Sequence, residues 1–177
     1  MWLLLTALFV SQSACAVELG EVAPDFSLPI LITADQNETQ APYPQTKLSD
    51  HRGSAIYLDF WSSACQACRL SLPTLSQANE RFREDGLVIL SVNLDVNPTD
   101  AIQYLAQHPL NFAVASDPSL ALADVYNVKG LPTAFFIDSD GTIQSRHEGF
   151  RTEDAKALDS RLVRLLDRAQ NTLDETR

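Results

Sequence analysis

The sequence predicts an α/β domain in which a mixed β-sheet is flanked by helices. Two dense apolar runs, at 55–61 and 87–92, have the length and composition of buried strands, and segments with helical spacing follow them at 66–84 and 98–107. A turn signal at 138–141 (DSDG) joins two short strands ahead of a final helix. The alternation of strands and helices predicts a mostly parallel sheet, which the antiparallel hairpin closes.

The elements around this centre follow from apolar spacing and turn residues. An alternating series at 26–32 predicts a half-buried strand, and residues 33–46 predict a surface loop or an inserted hairpin. Pro73 is expected to kink the first helix, and Gly86 to end it. The remaining predicted elements are a strand, a helix, the two hairpin strands and the last helix, at 112–115, 118–126, 133–137, 142–148 and 152–170.

Residues 1–16 have the pattern of a secretory signal peptide. An apolar run, 2–10, is followed by the small-x-small sequence 14–16, which predicts cleavage after Ala16 and export of residues 17–177 as one domain. Two alternatives are a buried amino-terminal strand or helix, and a lipoprotein lipidated at Cys15. Gln12 disfavours the lipoprotein, because lipoprotein signals usually carry an apolar residue at its position. No other segment has the length and apolar character of a membrane span.

Composition excludes some classes of partner. The 177 residues carry a formal net charge of −10, which argues against binding to nucleic acid or to an anionic membrane surface. Hydrophobic residues make up 45% of the chain, enough for one domain with a substantial core.

The cysteines point to redox chemistry. Once the leader is removed, the chain keeps only Cys65 and Cys68, and a disulfide between them closes too small a loop to stabilise a fold. Half of a zinc site is the alternative, but zinc needs two more ligands and the three histidines are far apart in the sequence. We therefore predict no metal and no cofactor.

The position of the pair between a buried strand and a helix favours thiol chemistry. Cys65 would lie at the amino end of the helix, where free N–H groups and the helix dipole stabilise a thiolate. A free cysteine has a pKa of about 8.5, and cysteines in such sites approach about 7. Cys68, one turn inside the helix, would be more buried and could resolve a mixed disulfide formed at Cys65.

Two motifs resemble a known family. The first, Trp61-x-x-x-Cys65-x-x-Cys68-Arg69-x-x-x-Pro73, resembles the active-site signature of thioredoxins, and the second, Val128-x-Gly130-x-Pro132-Thr133, resembles their second active-site loop. From about residue 20 to 170 the chain resembles the TlpA/ResA-like bacterial envelope thioredoxins, with matching segments at 23–28, 48–53, 117–133 and 136–141. The resemblance implies a thioredoxin fold with an amino-terminal extension and an inserted helix–strand element at 98–116.

The resemblance also implies roles for individual residues. Cys65 would be the attacking sulfur and Cys68 the resolving one. Pro132 would be a cis-proline packed against the disulfide, and the backbone of Leu131 would pair with a substrate strand; an ordinary loop proline is the alternative.

Two further residues belong to this predicted site. Asp59 would be a buried carboxyl with a raised pKa that exchanges a proton with Cys68, unless hydrogen bonds satisfy it as an ordinary strand-end carboxylate. Trp61 would shield the site and contact substrate, or it could be part of the core.

Ala64 and the pair Gln66-Ala67 depart from the family pattern, which leaves the redox potential open.

The predicted function is reduction of disulfides in exported proteins of the periplasm, such as apocytochrome c or copper-site assembly proteins, with electrons from a membrane thiol donor. A disulfide-inserting oxidase or isomerase is an alternative, although Ala67 supplies neither of the side chains, His or Tyr, that such enzymes often carry there. A peroxiredoxin-like peroxidase would need a proline before the cysteine, and residues 55–64 contain none. A copper chaperone that bound the metal through Cys65 and Cys68 would be expected to carry a histidine close to them in the sequence, and there is none.

Overall fold

The structure, a computed structural model, describes residues 17–32 and 43–175. The predicted leader at 1–16, with Cys15 and the cleavage site after Ala16, lies outside the described residues, as does most of the predicted loop at 33–46. The division into a leader and one domain therefore stays a prediction.

The described residues form one sheet with helices on both faces. The strands are β1 (Ser27–Ile32), β2 (Gln45–Lys47), β3 (Ala55–Trp61), β4 (Leu87–Asn93), β5 (Ala113–Ser116), β6 (Thr133–Ile137) and β7 (Ile143–Glu148). The α-helices are α1 (Cys68–Phe82), α2 (Pro98–Gln107), α3 (Ala121–Val125) and α4 (Asp154–Glu175). Short 3-10 turns follow β2 at Leu48–His51 and α1 at Arg83–Asp85.

The strand order in the described chain is β2-β1-β5-β4-β3-β6-β7. Only the central strands β3, β4 and β5 run parallel; β6 and β7 on one side, and β1 and β2 on the other, pair antiparallel. The predicted mixed sheet is confirmed, but the expectation that it would be mostly parallel is wrong. Two pairings cause the difference: β1 of the amino-terminal extension adds to the free edge of β5 in the antiparallel sense, and β6 pairs antiparallel with the central strand β3.

Several boundaries differ from the prediction. The first helix begins at Cys68 rather than at residue 66, and α4 continues to Glu175 instead of ending near 170. Residues 45 and 46, which the sequence assigned to a surface loop or an inserted hairpin, form β2 together with Lys47, and β2 pairs antiparallel with β1 from Ser27↔Lys47 to Pro29↔Gln45. The inserted element is present as α2 and β5, and β5 joins the sheet between β4 and β1.

Strand β3 lies at the centre of the core and is buried on both faces. Its residues Tyr57 and Trp61 belong to a cluster with Cys68 and Leu72 of α1. Its alternate residues Ile56, Leu58 and Phe60 join Tyr126 and Phe135 in a second cluster on the opposite face. Asp59, which shares the face of Tyr57 and Trp61, is thereby directed toward the side of the sheet that α1 covers.

Candidate active site

The turn between β3 and α1 carries the two cysteines. The N–H of Cys65 donates to the carbonyl of Ser62 at 3.1 Å, and the carbonyl of Cys65 accepts from the N–H of Arg69 at 3.3 Å. Cys65 therefore stands in the turn just before the helix, and Cys68 is the first helical residue rather than one turn inside. The predicted order of exposure holds, because Cys65 is half-buried and Cys68 has no exposed surface.

Cys65 and Cys68 form a disulfide, with their Cα atoms 5.2 Å apart. The N–H of Cys68 donates to Sγ of Cys65 at 3.1 Å. This N–H is one of the groups at the start of an α-helix that have no partner within the helix. In the reduced protein, the same N–H and the positive end of the helix dipole would stabilise negative charge on Cys65.

The second predicted loop lies beside this turn, and its peptide bond Leu131–Pro132 is cis, as the resemblance to thioredoxins implied. Thr133 Oγ1 donates to the carbonyl of Gly130 at 2.7 Å, and the N–H of Gly149 donates to the carbonyl of Pro132 at 2.7 Å. In contrast, the backbone N–H and carbonyl of Leu131 make no hydrogen bond within the described part of the chain. The cis-proline loop is thus held on both sides of a residue whose own backbone groups are unpaired.

Asp59 is a buried carboxyl group with few partners. Its side chain is 1% exposed, Ser91 Oγ donates to its Oδ2 at 3.5 Å, and its Oδ1 has no hydrogen-bond partner among the described residues. Burial raises the pKa of Asp59 from 3.8 to about 7, because the charged form loses its hydration, and the Ser91 contact only partly opposes this. Near neutral pH the carboxyl group can therefore both accept and donate a proton.

Trp61 is fully buried in the cluster that contains Cys68, and its ring lies 5.5 Å from that of Tyr104, centroid to centroid. Arg69 lies over the Tyr104 ring, with its Cζ 5.9 Å from the ring centre. Trp61 is therefore part of the core beneath the site, and a direct contact between Trp61 and substrate stays a prediction.

Sequence reasoning missed Asp95, in the loop after β4. Both oxygens of its carboxylate accept from the N–H of Ser63 at 3.1 Å, and Asn93 Nδ2 donates to its Oδ2 at 3.0 Å. A usable signal was present: Asp95 follows the carboxyl end of β4, and β4 runs parallel to β3, whose carboxyl end precedes Cys65.

Two grooves flank the cysteine turn. One, of about 440 Å³, is walled mainly by apolar side chains next to the cis-proline loop, namely Leu94, Val96, Leu120, Val128 and Leu131. The other, of about 360 Å³, is polar and runs between Arg69 and one face of α2, lined by Asp100, Gln103, Tyr104, Gln107 and His108. The inserted helix α2 therefore forms one wall of the site.

Within residues 17–32 and 43–175, no group of three or more His, Cys, Asp or Glu side chains is placed to hold a metal ion. Nor does that part of the chain contain a helix long and apolar enough to cross a membrane. The predicted absence of a metal or cofactor stays a prediction.

A model of the AhpC/TSA family matches residues 19–146, a range that includes both cysteines and the cis-proline loop. The chain belongs to this family. It is 31% identical, over 137 residues, to the thiol-disulfide oxidoreductase ResA of Oceanobacillus iheyensis, an alignment that covers 77% of this chain and 68% of that protein. The ResA of Geobacillus kaustophilus is 29% identical over 149 residues, which are 84% of this chain and 79% of the relative.

Solved structures agree with the sequence relatives. A crystal structure assigned as the thiol:disulfide interchange protein DsbE of Chlorobium tepidum is 39% identical, covers 85% of this chain and 99% of its own, and has a TM-score of 0.77. The exposed lipoprotein thioredoxin Etrx1 of Streptococcus pneumoniae is 30% identical, covers 76% and 96%, and has a TM-score of 0.61. This AhpC/TSA member is thus a ResA-like thiol–disulfide oxidoreductase with a thioredoxin fold, which acts on protein disulfides.

Proposed function

We propose that the protein works as a reductant: its dithiol form reduces disulfides of exported proteins, and a membrane thiol donor then restores the dithiol. The observation that carries the exchange chemistry of this proposal is the unequal exposure of the two sulfurs. Cys65 is accessible, Cys68 is enclosed, and the backbone of Leu131, which makes no hydrogen bond within the described residues, borders the same turn.

The proposed reaction has two exchange steps. The Cys65 thiolate attacks one sulfur of the substrate disulfide, forms a mixed disulfide and releases the other substrate sulfur as a thiolate. The thiolate of Cys68 then attacks Sγ of Cys65 and releases the second substrate sulfur. Two electrons pass to the substrate, and the protein is left with its Cys65–Cys68 disulfide, the state that the structure contains.

Asp59 is suited to assist the second step. Cys68 must lose its proton before it attacks, and it does so in a site without exposed surface. A carboxyl group with a pKa of about 7, on the face of β3 that α1 covers, can take that proton directly or through water.

The backbone of Leu131 is suited to hold the substrate. An extended segment that carries the target cysteine could accept from its N–H and donate to its carbonyl, as in strand addition to an open edge. Because these hydrogen bonds involve only the backbone of the substrate, they would orient its disulfide toward Cys65 without requiring a particular substrate sequence.

The direction of electron flow rests on the surroundings of Cys65. Ala67 offers no side chain that would specifically stabilise the thiolate, and strong oxidants depend on such stabilisation. The candidate substrates are the disulfides of apocytochrome c or of copper-site assembly proteins in the periplasm. Because that compartment is oxidising, continued reduction requires the membrane thiol donor.

The test measures the redox potential of the protein and captures its substrates as mixed disulfides. Equilibration of the mature protein with glutathione should give a potential near that of thioredoxin, about −270 mV, whereas a value near −120 mV would mark a disulfide-inserting oxidant. Cys68→Ala, expressed in the periplasm, should accumulate mixed disulfides with proteins that contain a pair of cysteines. Treatment with dithiothreitol should release these proteins. Cys65→Ala is the matched control and should capture none.

A further inference from the structure

The turn that carries Cys65 is fastened at Ser63 from two sides. On one side, the Asp95 carboxylate accepts from the Ser63 N–H through both oxygens at 3.1 Å. On the other, the Arg69 guanidinium donates to the Ser63 carbonyl at 3.2 Å. Opposite charges therefore bracket two neighbouring peptide groups, two residues before the attacking cysteine.

Asp95 is itself held in place. Asn93 Nδ2 donates to its Oδ2 at 3.0 Å, and its own N–H donates back to Asn93 Oδ1 at 3.0 Å. Asn93 is fully buried at the end of β4, so this reciprocal pair anchors the carboxylate to the centre of the sheet. A second link joins the same segments, because the N–H of Leu94 donates to the carbonyl of Trp61 at 2.8 Å.

We propose that Asp95 is a positioning residue for the dithiol: it fixes the turn through Ser63, and its negative charge opposes formation of the Cys65 thiolate, which makes the redox potential more negative and the dithiol a stronger reductant. This inference rests on the proposed role of Cys65 as the attacking sulfur. It assigns the control of reactivity to a residue outside the cysteine motif and outside the cis-proline loop.

The distance is short enough for the charge to matter. Two residues span at most about 7 Å, so a carboxylate bonded to the Ser63 N–H lies within about 10 Å of the Cys65 backbone. At that separation, near a protein surface and in moderate salt, one charge shifts an ionisation midpoint by about half a pH unit to one pH unit.

Other charged groups also surround the turn, and a substitution at position 95 leaves them unchanged. Arg69 extends from α1, Asp59 from β3 and Asp100 from α2, His108 follows α2, and Asp124 and Lys129 line the apolar groove. A difference between wild type and a variant at position 95 alone therefore reports the contribution of Asp95.

The test compares three variants of the full mature protein. Asp95→Asn keeps an oxygen that can accept from the Ser63 N–H but removes the charge, and Asp95→Ala removes both. The control, Asp85→Asn, removes an exposed charge on the turn that precedes β4, which is at the opposite end of that strand from Asp95. For each, the pH midpoint of iodoacetamide labelling at Cys65 and the redox potential against glutathione are measured. Reduction of a model disulfide gives kcat and KM.

We expect Asp95→Asn to lower the labelling midpoint by about half a pH unit to one unit. Its potential should become less negative by up to about 30 mV, the value for a tenfold change in a two-electron equilibrium. Asp95→Ala should show the same midpoint shift and, in addition, a several-fold loss of kcat/KM, because the turn is no longer held. Asp85→Asn should match wild type.

An unchanged midpoint and potential in Asp95→Asn would overturn the proposal, and so would an equal shift in Asp85→Asn. If Asp95→Ala does not fold, Asp95→Asn still decides, because it keeps the hydrogen bond. Failure of the proposed function has a different signature. A wild-type potential near that of an oxidant, or an empty Cys68→Ala trap, would refute the reductant without changing the differences among these variants.

Discussion

The backbone N–H of Cys68 donates to Sγ of Cys65 at 3.1 Å, while the side chain of Cys68 itself has no exposed surface. One sulfur is therefore reachable and faces a helix N–H group, whereas the other belongs to the buried cluster that also contains Tyr57, Trp61 and Leu72. The difference between two cysteines only three positions apart comes from the start of α1, which begins at Cys68.

This asymmetry predicts the order of labelling. In the reduced protein, iodoacetamide should modify Cys65 first and at a pH well below about 8.5, the pKa of a free cysteine. Mass spectrometry of peptides after short exposures checks the order, and the single variants Cys65→Ala and Cys68→Ala calibrate each site. Faster modification of Cys68 would contradict the assignment of the attacking sulfur.

Asp59→Asn should slow the second exchange step more than the first. The variant keeps the size of the side chain but loses the group that can take a proton from Cys68, and general-base assistance of this kind typically contributes about 100-fold or more. Stopped-flow traces with a fluorescent disulfide should show the mixed disulfide persisting. Asp85→Asn serves as the control for loss of charge, and equal slowing of both steps by Asp59→Asn would contradict the role.

Gly141→Ala should destabilise the protein more than Gly86→Ala. Both glycines have φ near +90°, which costs a residue with a side chain about 1–2 kcal/mol. At Gly86 a Cβ would meet nothing, whereas at Gly141 it would overlap the Arg52 guanidinium, which donates to the carbonyl of Asp140. Displacing Arg52 adds about 0.5–1.5 kcal/mol. Urea unfolding measures both, and equal losses would show that Arg52 moves at no cost.

The parts of the fold that the sequence predicted correctly are those with local signals. The dense run of β3, the turn at 138–141 and the cysteine motif before α1 each depend on neighbouring residues. The antiparallel addition of β1 to β5 could not be predicted in this way, because it joins Ile30 to Ala115, two residues far apart in the sequence. Residues 45–47 form a strand only because β1 offers them an edge.

The candidate site shows the same limit. Cys65, Cys68 and Pro132 stand in recognisable motifs, and Asp59 is conspicuous as a lone carboxylate in an apolar strand. The hydrogen bond from Ser63 to Asp95, however, spans 32 positions and depends on the register of β3 with β4, in which Trp61 pairs with Asn93. Apolar spacing gives the existence of two parallel strands but not that register.

The stability of the protein should fall as the pH rises through the range in which Asp59 ionises only in the unfolded chain. Its pKa is raised by burial, from 3.8 to about 7. Below pH 3.8 both states hold the proton and the side chain imposes no ionic cost. Between 3.8 and about 7 the folded protein binds more protons than the unfolded chain, so the free energy of unfolding decreases with pH.

Above about pH 7 this cost is complete and amounts to about 4 kcal/mol, at about 1.4 kcal/mol per pH unit. Asp59→Asn has no such ionisation, so its free energy of unfolding relative to wild type should increase from pH 4 to pH 7 and then level off. Urea denaturation of the oxidised proteins at intervals of one pH unit measures this difference, with Asp85→Asn as the control for net charge. If the difference in the free energy of unfolding between Asp59→Asn and wild type stays constant across pH 4–8, the Asp59 carboxyl group has the same pKa in the folded and unfolded states. It would then be ionised at neutral pH and could not serve as the proton acceptor for Cys68 that is proposed here.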